Sequence, residues 1–266
     1  MQFSTFNRND LQFLPEFQPA DWGDLIPRFK YFIESVYCNP IKSTEGDEVT
    51  GIGTSMLHED TAWLACIIVH ENHRKKGLGN ILTQKLVDEI DRSRYQTIYL
   101  DATDFGYPVY KKLGFEVEME YSHMKRKVTG STYPVSENII PFQDAFKEQL
   151  LSLDEKISGE NRSGILSDFL GSAKIYVYEN EVQGYYIPDW GDGPVIAGND
   201  TAGLELMKLR SNEKDVAIFP STHQVALNFL SDNGFVTYKT SKRMLLGNIR
   251  DWKARGIYNR ISGQLG

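Results

Sequence analysis

An internal repeat constrains this chain more than any other feature of its sequence. When the sequence is displaced by 120 residues, segment 98–102 (IYLDA) falls on 218–222 (IFPST). At the same displacement, segment 110–115 (YKKLGF) falls on 230–235 (LSDNGF), so that two Gly-Phe pairs coincide. One matched pair would mean little, but a displacement that needs no gap over several elements indicates two copies of one fold.

The length of the chain and a polar linker agree with two copies. A chain of 266 residues can form two domains of ordinary size. Segment 128–138 (VTGSTYPVSEN) is rich in Gly, Ser, Thr and Pro, a composition typical of a linker. We therefore predict a first domain over residues 1–130 and a second over residues 135–266.

Hydrophobic periodicity predicts a mixture of strands and helices in the first copy, and hence an α+β fold. Some segments have apolar residues at helical spacing, and others are apolar runs bounded by polar turns. Gly114 stands near the end of the last predicted helix and is a suitable C-cap. The predicted strands are 1–5, 48–57, 61–69, 97–102 and 116–126, and the predicted helices are 24–37, 80–91 and 107–115.

Composition and charge argue against several classes of function. The net charge is −7 and the pI is about 5.3, whereas nucleic-acid-binding proteins present a basic surface. No apolar run reaches the roughly 18 residues that a membrane span needs, and the N-terminus has no signal-peptide pattern. Cys38 and Cys66 form no Cys-x-x-Cys pair. We expect a cytoplasmic protein without disulfides, and without a nucleic-acid or membrane partner.

The segment 70–80 (HENHRKKGLGN) has the residues of an anion-binding loop. It lies between the predicted strand 61–69 and the predicted helix 80–91. It carries three consecutive cations, which are followed by two glycines separated by one residue. A helix N-terminus presents free N–H groups and partial positive charge, and glycines let a ligand come close to them. Phosphate is the ligand that such a site favours.

Two familiar phosphate motifs do not match this loop. A P-loop needs Gly-x-x-x-x-Gly-Lys-[Ser/Thr], which the sequence lacks, and a Rossmann fingerprint would need Gly at position 82, which is Leu. In the second copy, segment 194–199 (PVIAGN) falls on the loop and has neither its cations nor its glycine spacing. We therefore expect one such site per chain.

Two segments together resemble the GCN5-related N-acetyltransferases, the GNAT family. Segment 67–87 (IIVHENHRKKGLGNILTQKLV) is similar to the family's acetyl-CoA motif, a strand followed by (Arg/Gln)-x-x-Gly-x-(Gly/Ala) and a helix. Segment 98–115 (IYLDATDFGYPVYKKLGF) is similar to the companion strand and the Tyr-x-x-x-Gly-Phe helix. The second copy resembles the degenerate second domain of tandem members. The resemblance implies two tandem domains, each a mostly antiparallel mixed sheet flanked by helices.

The resemblance also implies which residues hold acetyl-CoA as a co-substrate. The main chain of Ile67, Ile68 and Val69 would pair with the pantetheine arm like an added strand. The backbone N–H groups of the loop would bind the pyrophosphate, and its basic side chains would add charge. The loop comprises Arg74, Lys75, Lys76, Gly77, Leu78, Gly79 and Asn80, and the opening for the thioester would be lined by Asp101 and Ala102.

A proton donor is implied by the same resemblance. Tyr110 stands four residues before Gly114, where the family often has a tyrosine, and its phenol could protonate the departing CoA thiolate. Its counterpart in the second copy is Leu230, which cannot. A backbone N–H near Ile68 or Val69 would stabilise the oxyanion. The candidates for a base that accepts the proton of the amine stay open, and they are His58, Glu59, Asp60, Asp101 and Asp104.

These features predict an acetyl-CoA-dependent N-acetyltransferase. It would transfer acetyl to a primary amine, preferably of a small molecule, by direct attack in a ternary complex. The alternative is a non-catalytic module that binds acyl-CoA as a sensor or scaffold. No metal is expected, because His70 and His73 have neither Cys partners nor a His-x-x-x-His helix. The chain could be a monomer or a homodimer.

Two further segments have more than one interpretation. Tyr185, Tyr186 and Trp190 could line a substrate cleft between the two copies or could pack in the core. The C-terminal segment 256–266 is apolar enough to pack on the fold, and its role stays open.

Overall fold

The computed structural model describes residues 1–20, 22–127 and 132–263. In the first half, the strands are β1 (Gln2–Thr5), β2 (Cys38–Glu45), β3 (Glu48–Leu57), β4 (Thr61–Val69), β5 (Thr97–Ala102) and β6 (Glu116–Arg126). The α-helices there are α1 (Leu14–Phe17), α2 (Leu25–Glu34), α3 (Leu78–Asp88) and α4 (Tyr107–Lys112). In the described part of the chain, no helix is long and apolar enough to cross a membrane.

The second half has a corresponding series of elements. Its strands are β7 (Ile139–Pro141), β8 (Lys174–Tyr178), β9 (Glu181–Tyr186), β10 (Val195–Ala197), β11 (Val216–Pro220), β12 (Phe235–Gly247) and β13 (Ile257–Asn259). Its α-helices are α5 (Lys147–Ser158), α6 (Ser163–Ser167), α7 (Asp200–Ser211) and α8 (Gln224–Asp232). Short 3-10 helices cover Arg8–Phe13, Glu71–His73, Asp144–Phe146, Leu170–Ser172 and Ala254–Gly256.

Most predicted elements of the first half are confirmed, four of the strands residue for residue as β3 to β6. The helix predicted over 80–91 begins two residues earlier, because Gly77 takes a left-handed conformation (φ 84°) that ends the loop. The helix predicted over 107–115 ends at Lys112, and Gly114 (φ 86°) then reverses the chain. The prediction missed β2, whose sequence CNPIKSTE has no strong alternation and forms a strand by pairing with β3.

The bounds of helix α2 also differ from the prediction. The helix predicted over 24–37 ends at Glu34, because Ser35 is extended and the chain must reach β2. Its start is capped by Asp24, whose carboxylate accepts a hydrogen bond from Ile26 N–H at 2.9 Å. Of the predicted linker 128–138, residues 128–131 lie outside the described residues.

The strands form two sheets. The larger has the order β1-β2-β3-β4-β5-β12-β6-β11, and the smaller has the order β13-β10-β9-β8-β7. All pairs in the larger sheet are antiparallel except β4 with β5, which run parallel. Buried side chains of β4 face both ways: Trp63 belongs to a core shared with the second half, and Leu64 packs towards α3.

The two halves exchange their last strands. Strand β12 of the second half lies between β5 and β6 of the first, and β6 in turn pairs with β11 of the second. Tyr121 lies opposite Ser241 in the β6–β12 pair, and these two residues are 120 positions apart. The pairing is therefore nearly symmetric about this point, as expected for two copies related by a local twofold axis. One continuous sheet joins the halves.

Candidate active site

Strands β4 and β5 separate and leave a cleft between them. They pair only at Thr61–Trp63 with Thr97–Tyr99, within the described residues. Beyond that point β4 contains a bulge, in which Cys66 and Ile67 lie opposite Gly53 and Cys66 has a left-handed backbone (φ 49°). A bulge bends a strand and increases its twist, so this one turns the end of β4 away from β5. Burial raises the pKa of the Cys66 thiol to about 12, which makes it an inert thiol.

The last residue of β4 presents its main chain to this cleft. His70 N–H donates to Thr50 O at 3.0 Å on the β3 side. Because neighbouring residues of an antiparallel ladder point in opposite directions, the N–H and C=O of Val69 face away from β3. Arg74 Nε donates to Val69 O at 3.1 Å, which agrees with that orientation. Of the predicted pantetheine-binding edge, Ile67 to Val69, this argument places only the main chain of Val69 at the cleft. Ile68 lies opposite Ile52, and its N–H and C=O face β3.

The loop from Arg74 to Gly77 turns sharply into α3. Lys75 (φ 62°) and Gly77 (φ 84°) both have left-handed backbones, and both lysines of the loop are exposed. Gly77 is the N-cap of α3, and no side chain in the described part of the chain caps this helix. The first N–H groups of α3 therefore have no partner within the helix and face the loop. Free N–H groups and cations thus lie together at this helix terminus, a combination that favours an anion.

Gly79 and Asn80 lie in the first turn of α3. Asn80 N–H already donates to Gly77 O at 3.1 Å, so the donors left for a ligand precede it. The Asn80 side-chain Oδ1 is buried without a partner among the described residues. At Gly79, an added Cβ would lie 3.9 Å from both Val69 and Val109, in the space between the end of β4 and α4.

Tyr110 lies on α4 beside the mouth of the cleft. Burial raises the pKa of its phenol above the ordinary value of 10, and the charge of Asp101 and the neighbouring Cys66 raise it further. The ring packs over Gly106 and lies 6.1 Å from the ring of Phe115. A phenol with a raised pKa stays protonated at neutral pH, so it keeps a proton that it can donate.

Asp101 is held at the end of β5 by residues distant in sequence. Its Oδ2 accepts a hydrogen bond from Ser241 Oγ at 3.0 Å and forms an ion pair with Arg260. The side chain is 6% exposed, and its Oδ1 is buried without a hydrogen-bond partner among the described residues. Sequence reasoning missed Ser241 and Arg260, because each lies about 140 residues or more from Asp101 and belongs to no motif.

Three of the candidate bases lie far from this cleft, and the structure removes them. His58, Glu59 and Asp60 lie at the turn before β4, whereas the cleft opens at its far end. At about 3.3 Å per residue, the distance from Asp60 to the bulge at Cys66 is about 20 Å. Glu59 pairs with Arg94 at 3.3 Å, and Asp60 pairs with Arg250 of the second half at 2.7 Å. The ion pair of Asp60 therefore joins the two halves.

The other two candidate bases, Asp101 and Asp104, lie closer to the cleft and differ in how exposed their side chains are. Asp104 follows β5, and its side chain is 90% exposed, 3.8 Å from Lys242. Asp101, by contrast, has a buried oxygen without a partner. Asp101 is therefore the candidate base that the geometry favours.

His70 and His73 lie together with Glu48, and their ligand atoms are within 4.8 Å of one another. His73 Nε2 is 3.0 Å from Glu48 Oε1, and His70 Nε2 is 3.6 Å from Glu16 Oε2. His70 Nδ1 accepts a hydrogen bond from Asn72 N–H, which leaves the ring proton on Nε2. Each of the two histidines therefore has a carboxylate neighbour of its own.

Comparison with known proteins agrees with the geometry of the cleft. A sequence model of the acetyltransferase (GNAT) family matches residues 8–115. This match covers less than half of the chain, and the GNAT assignment applies to the matched segment. That family consists of acetyltransferases, so the chain is an enzyme of the acyltransferase class.

Solved structures extend the likeness beyond this GNAT domain. A protein from Pyrococcus horikoshii, provisionally assigned as an acetyltransferase, is 20% identical over 100% of this chain and 95% of its own, with a TM-score of 0.83. A tandem GNAT protein from the clavulanic acid biosynthesis pathway is 13% identical over 94% of this chain and 99% of its own, with a TM-score of 0.59. At these identities the likeness shows the fold, which is that of two GNAT units in tandem. No curated protein matches the sequence.

The second GNAT unit lacks the open helix terminus of the first. The side chain of Asn199 caps α7 and accepts a hydrogen bond from Ala202 N–H at 3.0 Å. Asp200 adds a negative charge to the first turn of α7, which opposes an anion there. A cavity of about 400 Å³ lies at this terminus, and its lining includes the cations Lys253 and Arg255.

The aromatic residues that had two interpretations are core residues. Tyr185, Tyr186 and Trp190 are fully buried in the second GNAT unit. Tyr186 donates from its hydroxyl to Glu213 at 2.7 Å, and Trp190 stacks on Phe169 at 5.5 Å between ring centroids. They do not line a substrate cleft.

Proposed function

We propose that this protein transfers the acetyl group of acetyl-CoA to the primary amine of a small molecule. The observation that carries the proposal is the uncapped N-terminus of α3, with three cations beside it, at the edge of the cleft between β4 and β5. The pyrophosphate would bind the N–H groups from Lys75 to Gly79. The pantetheine arm would lie along Val69, whose N–H and C=O face the cleft.

The reaction is a direct attack by the amine on the thioester carbonyl. The amine nitrogen forms a bond to the carbonyl carbon, and the developing oxyanion accepts a hydrogen bond from Val69 N–H. The carbon–sulfur bond then breaks, and the CoA thiolate takes the phenol proton of Tyr110. Asp101 Oδ1 accepts the proton that the amine loses. Acid–base help of this kind contributes typically about 100- to 10,000-fold to the rate.

A slender cationic amine fits this site better than a bulky one. The Asp101 side chain is 6% exposed, so the acceptor nitrogen must reach a carboxylate beneath the surface. Asp104 lies exposed nearby, and the chain carries a net charge of −7, both of which attract a cation. A primary amine on a short or flexible arm meets both conditions.

Calorimetric titration with acetyl-CoA tests the binding part of the proposal. We expect one site per chain. The double variant Lys75→Gln/Lys76→Gln should weaken acetyl-CoA binding about tenfold or more, because charged hydrogen bonds to phosphate are lost. The matched control is Lys253→Gln/Arg255→Gln, which removes two cations at the corresponding helix terminus of the second unit and should leave affinity unchanged. A second binding site, or an equal effect of both double variants, would contradict the assignment.

Turnover separates the enzyme from an acyl-CoA-binding sensor. Release of the CoA thiol is measured with acetyl-CoA and a panel of amines: spermidine, glucosamine, lysine amide and a peptide with a free N-terminus. Tyr110→Phe should lower kcat at least tenfold and leave the Kd of acetyl-CoA within about twofold, since it removes a proton and little else. Binding without turnover of any amine would favour the sensor.

A further inference from the structure

The cleft of the second GNAT unit is filled by the chain's own C-terminal segment, residues 254–263. Strand β13 in this segment pairs with β10, where Val195 lies opposite Asn259 and Ile196 opposite Ile257. On its other side, Ile218 N–H donates to Asn259 Oδ1 at 2.8 Å, and Arg260 N–H donates to Ile218 O at 2.8 Å. Since β10 and β11 correspond to β4 and β5, the segment occupies the counterpart of the cleft in the first unit.

The segment also contacts the helix terminus of the second unit, beside the cavity described above. Tyr258 donates from its hydroxyl to Asp200 Oδ1 at 2.5 Å, at the first turn of α7. Gly256 passes so close to β10 that an added Cβ would lie 3.1 Å from Ala197 O. The second unit is thus completed by a peptide where the first unit is open.

Beyond β13, the segment enters the active site of the first unit. Arg260 pairs with Asp101, and its Nε lies 3.5 Å from Asp192 Oδ2. The guanidinium lies over the ring of Tyr121, 5.1 Å from its centroid. At Gly263, an added Cβ would lie 2.9 Å from Asp101 Oδ2, so the backbone passes directly against this carboxylate.

The two oxygens of Asp101 have different surroundings. Arg260 and Ser241 both bind Oδ2, which leaves this oxygen satisfied. Oδ1 is buried and has no donor among the described residues. An unsatisfied buried acceptor costs free energy, so in a functional site it indicates a donor that arrives with a ligand. In the cleft of an acetyltransferase, the arriving donor is the acceptor amine.

We propose that Arg260 is a positioning residue for amine transfer in the first unit. By holding Asp101 Oδ2 together with Ser241, it aims Oδ1 at the nitrogen of the acceptor. The second unit thus contributes a residue of its C-terminal segment, Arg260, to the active site of the first unit. This inference rests on the proposed function, because it assigns a role to the same cleft.

The test compares Arg260→Ala and Arg260→Lys with Arg255→Gln, an exposed cation of the same segment that stands outside the site. The amines are those of the panel above. Arg260→Ala should lower kcat about 10- to 100-fold, because a misplaced reacting group loses that much. The Kd of acetyl-CoA should stay within about twofold. Arg260→Lys should recover part of the loss by keeping a charge near Asp101, and Arg255→Gln should behave as wild type.

A second measurement is independent of turnover. Crystal structures of the wild type and of Arg260→Ala, each with CoA, should show Asp101 in the wild-type orientation only when Arg260 is present. An unchanged Asp101 in Arg260→Ala, or wild-type kcat in that variant, would overturn the proposal. Failure of wild type to bind acetyl-CoA would overturn the proposed function instead, so the two failures are distinguishable. If Arg260→Ala does not fold, Arg260→Lys carries the same comparison through partial loss of kcat.

Discussion

At the scale of single residues, a substitution of Gly79 should affect stability and ligand binding in opposite ways. An added Cβ would meet Val69 and Val109 at an ordinary contact distance of 3.9 Å, so the fold alone does not require glycine. Gly79→Ala should raise the free energy of unfolding by about 0.5 kcal/mol, because glycine is a poor helix former. It should weaken acetyl-CoA binding about tenfold, because the methyl group would occupy the approach to the helix N–H groups. Chemical denaturation and calorimetry measure the two effects.

Gly77 gives the matched control for this prediction. Its backbone is left-handed (φ 84°), a conformation that costs other residues about 1–2 kcal/mol. Gly77→Ala should therefore lower the free energy of unfolding, the opposite sign from Gly79→Ala. Unaltered acetyl-CoA affinity in Gly79→Ala would mean that no ligand approaches α3 at this residue.

At the scale of elements, α8 and β13 meet at His223. We expect this histidine to make the stability of the second unit depend on pH. His223 caps α8 by accepting a hydrogen bond from Ala226 N–H at 3.3 Å, and its ring lies 4.3 Å from that of Tyr258 in β13. Burial lowers the pKa of His223 from 6.5 to about 4. Its contribution to stability is therefore complete above pH 6.5 and is lost as the pH falls towards 4, because the unfolded chain takes up the proton first.

Urea denaturation between pH 7 and pH 4 measures this loss. The free energy of unfolding should fall with pH in wild type, and the fall should be smaller in His223→Gln, which keeps an acceptor for the cap but does not titrate. His73→Gln is the control, because that ring is only partly buried and lies in the first unit. An equally steep fall in His223→Gln would show that other groups control the acid sensitivity.

At the scale of the whole molecule, the two units are joined by a buried charge as well as by exchanged strands. Glu160 of the second unit accepts hydrogen bonds from Thr61 Oγ1 at 2.6 Å and Trp63 Nε1 at 2.9 Å. Arg243 lies 3.6 Å from Glu160 and also binds Glu118. Burial raises the pKa of Glu160, but Arg243 and other cations outweigh it, so that the pKa lies below its usual 4.5.

Glu160→Gln should lower the free energy of unfolding by about 3 kcal/mol, because it leaves the buried Arg243 with less compensation. Unfolding should remain a single transition, since the units share one sheet. Glu59→Gln is the control: its ion pair with Arg94 also lies at this end of the cleft strands but is exposed, and its loss should cost less than about 1 kcal/mol. Two separate transitions in wild type would contradict the view that the halves unfold together.

Much of this protein was determined by local sequence. Strands β3 to β6 follow from apolar runs and polar turns, and the repeat places Gly114 and Gly234 at the same left-handed turn in both units. The position of the basic, glycine-bearing loop before α3 was also predictable, because its cations, its glycines and the start of α3 are neighbours in the chain. Such features depend on spacing over a few residues, which a sequence displays directly.

Tertiary structure decided what the sequence left open. The exchange of β6 and β12, the closure of the second cleft by β13 and the pairing of Asp101 with Arg260 each join residues that are far apart in the chain. It also removed His58 to Asp60 from the candidate bases, by placing them at the opposite end of β4 from the cleft. Strand pairing and burial depend on which surfaces meet in space. No periodicity or motif in the sequence records that choice.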